Sequence, residues 1–310
     1  MEQSPVIEAC FFIPLCDKDV IRAKWVVTSI RKYCRDYHIY ILFDGFPQEF
    51  SAGEYENSVD VDVIYSNKHS NGHWGRIWQM QNNGMAFALK RRDLSDACIF
   101  VRIDADALIL RPGLIERAQS IFENNPNAGQ IGQCTKNISG EPLHNKGWAE
   151  YFAKRVTFFG LIKLYVLFTK NQTGIIAAFR HVLVLKKLLK IAVSNGYPLG
   201  RFAIGPSIFR KNVIKQMNEL GLLISSPFQF LPKPEDDVVF TIHVYTSGYT
   251  AIDDVDIGGI FAVCGKESWI HPDELYDRGH YLFHPFKYGV NKFLPTLSEK
   301  ELVDRLLNRN

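Results

Sequence analysis

Two carboxylates, Asp104 and Asp106, interrupt an otherwise apolar run, CIFVRIDADALILR, at residues 98–111. An ionised Asp is rarely buried without a partner, so a strand built from Ile99, Phe100, Val101 and Ile103 should end at the pair. Residues i and i+2 of an extended segment point the same way, and two carboxylates on one side can face one hard cation, for which oxygen ligands are the natural choice. Such a centre would hold a metal diphosphate; the plainer reading of the same residues is a capped turn at a strand end. A second acidic cluster, Glu235, Asp236 and Asp237, follows Pro234 and precedes Val238, Val239 and Phe240. Adjacent carboxylates repel one another unless a cation or hydroxyl groups fill the gap, and crowding raises a pKa toward the range useful for a base. Here too there is a plainer reading, because acids at the start of a helix cap it.

Residues 66–89 form a polar, Gly-rich stretch (Asn67, Ser70, Asn71, Gly72) that gives way to helical spacing through Trp78, Met80, Met85, Phe87 and Leu89. A loop feeding a helix N-terminus is an anion site, since the first N–H groups lack partners there. Arg76 at that start adds a forked donor for phosphate, unless it only packs the helix. Late in the chain, His284 ends the short apolar run Tyr281, Leu282, Phe283 and is followed by Pro285 and Lys287. An isolated late His is most often structural.

These residues need a scaffold. Residues 6–15 read as a strand, 18–33 as a helix with apolar residues at Val20, Ile21, Ala23, Trp25, Val26 and Ile30, 38–43 as a strand stopping at Asp44-Gly45, and 59–65 as a third strand. Strands separated by helix-length segments argue for a mostly parallel sheet with its ligand at the carboxyl ends of the strands. Pro14 to Asp17, Asp44 and Asp104/Asp106 all fall at such ends. Further on, 114–122 reads as a helix, 128–134 as a strand, Gly205-Pro206 as a turn leading into Ile208-Phe209 and then a helix with Arg210, Lys211 and Lys215, and 297–307 as a closing helix with a Ser N-cap.

The composition narrows the class. The chain has 310 residues, 46% hydrophobic and 22% charged, enough for a substantial core in one domain. A net charge of +3 gives no global field for nucleic acid. The six cysteines are scattered without a C-x-x-C pair, against a zinc site or a disulfide framework and in keeping with a reducing compartment. The N-terminal stretch has an early acid and too short an apolar run for a signal peptide or anchor, so a cytoplasmic location is expected. In 148–193, lysines, Arg180 and His181 break the apolar runs before they reach the ~20 residues needed to span a bilayer. Two amphipathic helices packed on the core account for that segment; contact with an anionic membrane surface is the alternative.

With D-A-D at a strand end and E-D-D before a late helix, the chain resembles the nucleotide-sugar glycosyltransferases of the GT-A fold. The resemblance implies a GT-A (Rossmann-like) α/β fold: a mixed, mostly parallel central sheet flanked by helices, in one domain over 1–310. Residues 1–135 would then bind the nucleotide sugar and 136–310 the acceptor, with 148–193 as the membrane-facing stretch. It further implies Mn²⁺ or Mg²⁺ held by Asp104, Asp106 and His284, and donor contacts from Pro14, Asp17, Asp44, Arg76, Asp104, Asp106 and Lys287. Asp236 would be the base that deprotonates an acceptor hydroxyl, with Asp237 its nearest rival, and the acceptor would be a glycan or a lipid-linked sugar of cell-surface polysaccharide or lipopolysaccharide assembly. The sequence departs from the commonest branch of that family in having only FDGF after the second strand, which leaves the nucleotide base open. Two other readings stand beside it: a nucleotidyltransferase, disfavoured because residues 14–19 (PLCDKD) lack the expected glycines, and an inactive scaffold of the same fold, for which three polar sites would be superfluous.

Overall fold

In the computed structural model, residues 6–45, 55, 58–66, 74–136, 175–199, 201–223, 236–263, 270–285 and 298–309 are described. The first strand, β1 (Ile7–Leu15), is apolar on both faces, as a strand covered on both sides must be. Cys10 and Phe12 enter one buried cluster while Ala9, Phe11, Ile13 and Leu15 enter the other, the period-two consequence of the pleat. After a 3₁₀ turn (Asp17–Asp19) come α1 (Val20–Tyr33), β2 (Tyr37–Phe43), β3 (Val61–Tyr65), α2 (Trp74–Ala88) and β4 (Leu94–Arg102). Strands β3, β2, β1 and β4 pair in parallel in that spatial order.

The rest of the main sheet departs from a purely parallel layout. After β5 (Leu108–Ile109), α3 (Leu114–Asn124), β6 (Ala128–Gln133) and α4 (Ile175–Ser194), strand β7 (Ile204–Arg210) inserts antiparallel between β4 and β6. Then follow α5 (Lys211–Glu219), α6 (Asp236–Thr246) and β8 (Thr250–Asp253), which pairs in parallel with β6. The expected mixed, mostly parallel sheet flanked by helices is therefore present, as seven strands in the order β3-β2-β1-β4-β7-β6-β8. Helices α2, α4, α5 and α6 bury apolar residues on one face; α1 and α3 do so on the other.

A second, small sheet sits beside the strand ends: β5, β9 (Phe261–Val263) and β10 (Leu282–His284), ordered β5-β10-β9. Helix α7 (Pro272–Asp277) and the closing α8 (Glu299–Leu307) pack on it through Leu275, Leu302, Val303 and Leu306. The N-terminus of α8 is a full capping box, Ser298 with Glu301, as the Ser N-cap expectation anticipates.

Candidate metal centre

Strand β4 ends at Arg102, and Asp104 and Asp106 lie in the turn beyond it. The Ala107 N–H donates to the Asp104 carbonyl at 3.1 Å, closing a β-turn. This differs from the expected extended i, i+2 pair: the turn, and not strand alternation, brings the two side chains to one side. A turn is what the composition permits, since carrying the strand on through 104–106 would bury two carboxylates in the sheet.

The small sheet explains how a residue nearly two hundred positions away joins them. β5 begins directly after the Asp pair and runs antiparallel to β10, with Leu282 opposite Ile109 and Phe283 opposite Leu108. One step further along that register sets His284 beside Ala107, next to Asp106. The His284 Nε2 lies 3.0 Å from Asp104 Oδ2 and 3.3 Å from Asp106 Oδ1. Ligand atoms of the three residues all fall within 4.8 Å of one another. Asp106 is buried, and Asp104 and His284 are partly so.

Electrostatics follow from that packing. Burial by itself would lower the His284 pKa, but the hydrogen bonds and charges of Asp104, then of Asp106, outweigh it and hold the imidazole up at about 10. Burial would likewise raise Asp104, yet its contact with His284 keeps it below the usual carboxylate value. In the metal-free protein a protonated imidazole thus supplies positive charge between two carboxylates. Two carboxylate oxygens and one imidazole nitrogen also suit a divalent cation: the oxygens are hard ligands for Mn²⁺ or Mg²⁺, and the nitrogen favours a transition metal such as Mn²⁺.

The other expected site residues distribute as follows. Pro14 is the penultimate residue of β1 and pairs with Leu42 of β2. The Asp44 N–H donates to the Leu15 carbonyl at 2.8 Å, so both stand at the carboxyl rim, with Asp44 two strands from β4, roughly 10 Å at ordinary strand spacing. Asp17 opens the 3₁₀ turn after β1, Arg76 lies in the first turn of α2, and Asp236 is the first residue of α6; their side chains are outside the described residues. Lys287 and Glu235 lie outside them altogether, as do the loop 139–145 and residues 148–174. Asp237 is described, and its carboxylate is engaged: Oδ1 pairs with the buried guanidinium of Arg102, and Oδ2 accepts the Gly205 N–H at 3.1 Å.

Arg102 is the residue that sequence reasoning passed over, and Gly205 the one whose role it did not see. The signal for Arg102 was present, since an Arg inside the apolar run FVRID needs a buried partner. The Gly205-Pro206 pair, expected as a turn, lies within β7 instead; Gly205 keeps a φ of +68°, and its close approach to His284 emerges only from the packing.

The fold and the site define an α/β protein whose mixed sheet carries an Asp/Asp/His cluster at the ends of its parallel strands. No family model and no curated relative matches the sequence. Among solved structures, the chain is similar to the apo structure of the WbbM bifunctional glycosyltransferase, at 13% identity and a TM-score of 0.46 over 98% of this chain and 52% of that one. It is also similar to S. aureus TarS 1-349, at 10% identity and a TM-score of 0.44 over 97% of this chain and 69% of that one. The chain spans about half the length of the WbbM chain.

Proposed function

We propose that this protein is a metal-dependent glycosyltransferase that moves a sugar from a nucleotide-diphosphate donor to a hydroxyl of a glycan or lipid-linked acceptor, with inversion at the anomeric carbon. The observation that carries this reading is the convergence of Asp104, Asp106 and His284 at the carboxyl rim of the sheet. These three would hold Mn²⁺ or Mg²⁺, and the cation would offset the charge of the departing nucleoside diphosphate. Pro14, Asp17 and Asp44, at the ends of β1 and β2, would contact the base and ribose, while Arg76 and Lys287 would donate to the phosphates. Asp236, at the start of α6, would take the proton from the acceptor hydroxyl as it attacks the sugar; its neighbour Asp237 is the second candidate, already held by Arg102 and Gly205.

In this reading residues 1–135 bind the donor and 136–310 the acceptor. A cytoplasmic location is part of it, with peripheral contact to an anionic membrane surface through α4. Supporting that contact, Lys186, Lys187 and Lys190 are exposed beside exposed Leu183, Val184 and Val193. Among the described residues no helix is long and apolar enough to cross a membrane.

A thermal-shift panel of nucleoside diphosphates, with and without Mn²⁺, tests the reading. One diphosphate should raise the melting temperature only when Mn²⁺ is present. No response to any of them would contradict it.

A further inference from the structure

Arg102 is the last residue of β4, two positions before Asp104, and only 2% of its surface is exposed. A guanidinium so placed cannot lose its proton and must be paired. It reaches the first turn of α6, where it pairs with Asp237 and lies over the Phe240 ring at 5.5 Å. The second oxygen of Asp237 accepts the N–H of Gly205, at the start of the antiparallel strand β7. Gly205 in turn faces His284: a Cβ built on it would stand 3.0 Å from His284 Nδ1. His284 closes the circuit onto Asp104 and Asp106.

The contacts therefore form a ring. It runs from Asp104 back along the chain to Arg102, across to Asp237, on to Gly205, against His284 and back to the aspartates. Four pieces of backbone meet here: the ion pair ties the end of β4 to the start of α6, the hydrogen bond ties α6 to the start of β7, and Gly205 of β7 packs against His284 at the end of β10. We propose that the Arg102–Asp237 pair positions the Asp104/Asp106/His284 centre, holding the cluster at cation-binding separation without contacting the cation or the substrate. This rests on the metal-centre reading above and gives Asp237 a different task from its neighbour Asp236. Outer residues that orient ligands in this way typically change metal affinity by about 10- to 100-fold when altered.

The test is Mn²⁺ titration of the full chain, followed by the electron paramagnetic resonance of free Mn²⁺ well below each variant's melting temperature. Asp237→Asn should weaken Mn²⁺ binding by about 10- to 100-fold. Asp237→Glu and Arg102→Lys, which keep a charged pair, should recover most of that affinity. Gly205→Ala, which presses a methyl group toward His284 Nδ1 and strains the N–H that Asp237 accepts, should weaken binding while keeping both charges of the pair. Wild-type affinity in Asp237→Asn would overturn the proposal. Should Asp237→Asn fail to fold by circular dichroism, Gly205→Ala and Arg102→Lys decide: affinity unchanged in the first and lost entirely in the second would overturn it. Wild-type protein that binds no Mn²⁺ at all would instead refute the metal-centre reading, so the two failures are distinguishable.

Discussion

His243 and His284 are both shielded from solvent, and they differ in what surrounds them. His243 lies in α6 behind the main sheet, fully buried, with its ring edge-on to Trp78 at 5.3 Å. Burial alone acts on it and pushes its pKa down to about 3. His284 sits at the rim, where two carboxylates reverse the effect of burial and hold it at about 10. Burial thus does not decide a histidine's charge; the carboxylates that share its pocket do. A core that keeps one imidazole neutral and a rim that makes another cationic are two products of one sheet, apolar along its strands and acidic just past their ends.

The two sites should therefore fail differently when broken. His284→Ala and Asp106→Ala should each reduce sugar transfer by ~1,000-fold or more, the several kcal/mol a bound cation contributes to a developing charge. His243→Ala should leave transfer per folded molecule unchanged. Turnover with sugar donors of whichever nucleoside diphosphate the thermal-shift panel selects checks this, and equal losses at both histidines would erase the distinction.

Stability should separate the two by cause rather than by size. His243→Ala empties a fully buried position against Trp78 and should cost about 2–4 kcal/mol in chemical denaturation. His284→Ala in metal-free protein leaves Asp104 and Asp106 facing one another without the imidazolium. That change should be smallest at high pH, where the wild-type imidazolium has itself been lost.

The pH dependence is the finest probe. His243 has a folded pKa far below its unfolded value of ~6.5, so its neutral burial costs nothing above that pH. As pH falls from about 6.5 toward 3 the unfolded chain gains a proton that the folded one refuses, and stability drops by at most ~1.4 kcal/mol per pH unit. His284 has the opposite sign, its contribution being full below about 6.5 and lost as pH rises toward 10. Denaturation midpoints between pH 6.5 and 4.5 should fall more steeply for wild type than for His243→Leu. Parallel slopes would mean that His243 is charged in the folded protein.

Much of this organisation is legible in the residues themselves. β1, β2 and β4 announce themselves as apolar runs and β3 by alternation, and the Asp pair stands out because two charges break an apolar run. The capping box of α8 is likewise written locally, in Ser298 and Glu301. What was not legible depends on direction and distance. The pattern of β7 says nothing about its antiparallel course, since period two is the same either way. Strands of two or three residues, as in β5, β9 and β10, are too short to show a period, yet their register is what delivers His284. The Arg102–Asp237 pair spans 135 positions: each half left its own trace, a charge among apolar neighbours and an acid in the E-D-D cluster, but nothing local joins them. His284 was placed by resemblance; the β5–β10 pairing supplies the physical reason.

The most direct test of the centre is Mn²⁺ binding by purified, chelator-treated protein, wild type against Asp106→Ala, with circular dichroism to show that both are folded. Wild type should bind Mn²⁺ stoichiometrically and Asp106→Ala should not. Folded wild-type protein that leaves Mn²⁺ free, or an Asp106→Ala variant that binds it equally well, would contradict a metal centre at Asp104, Asp106 and His284.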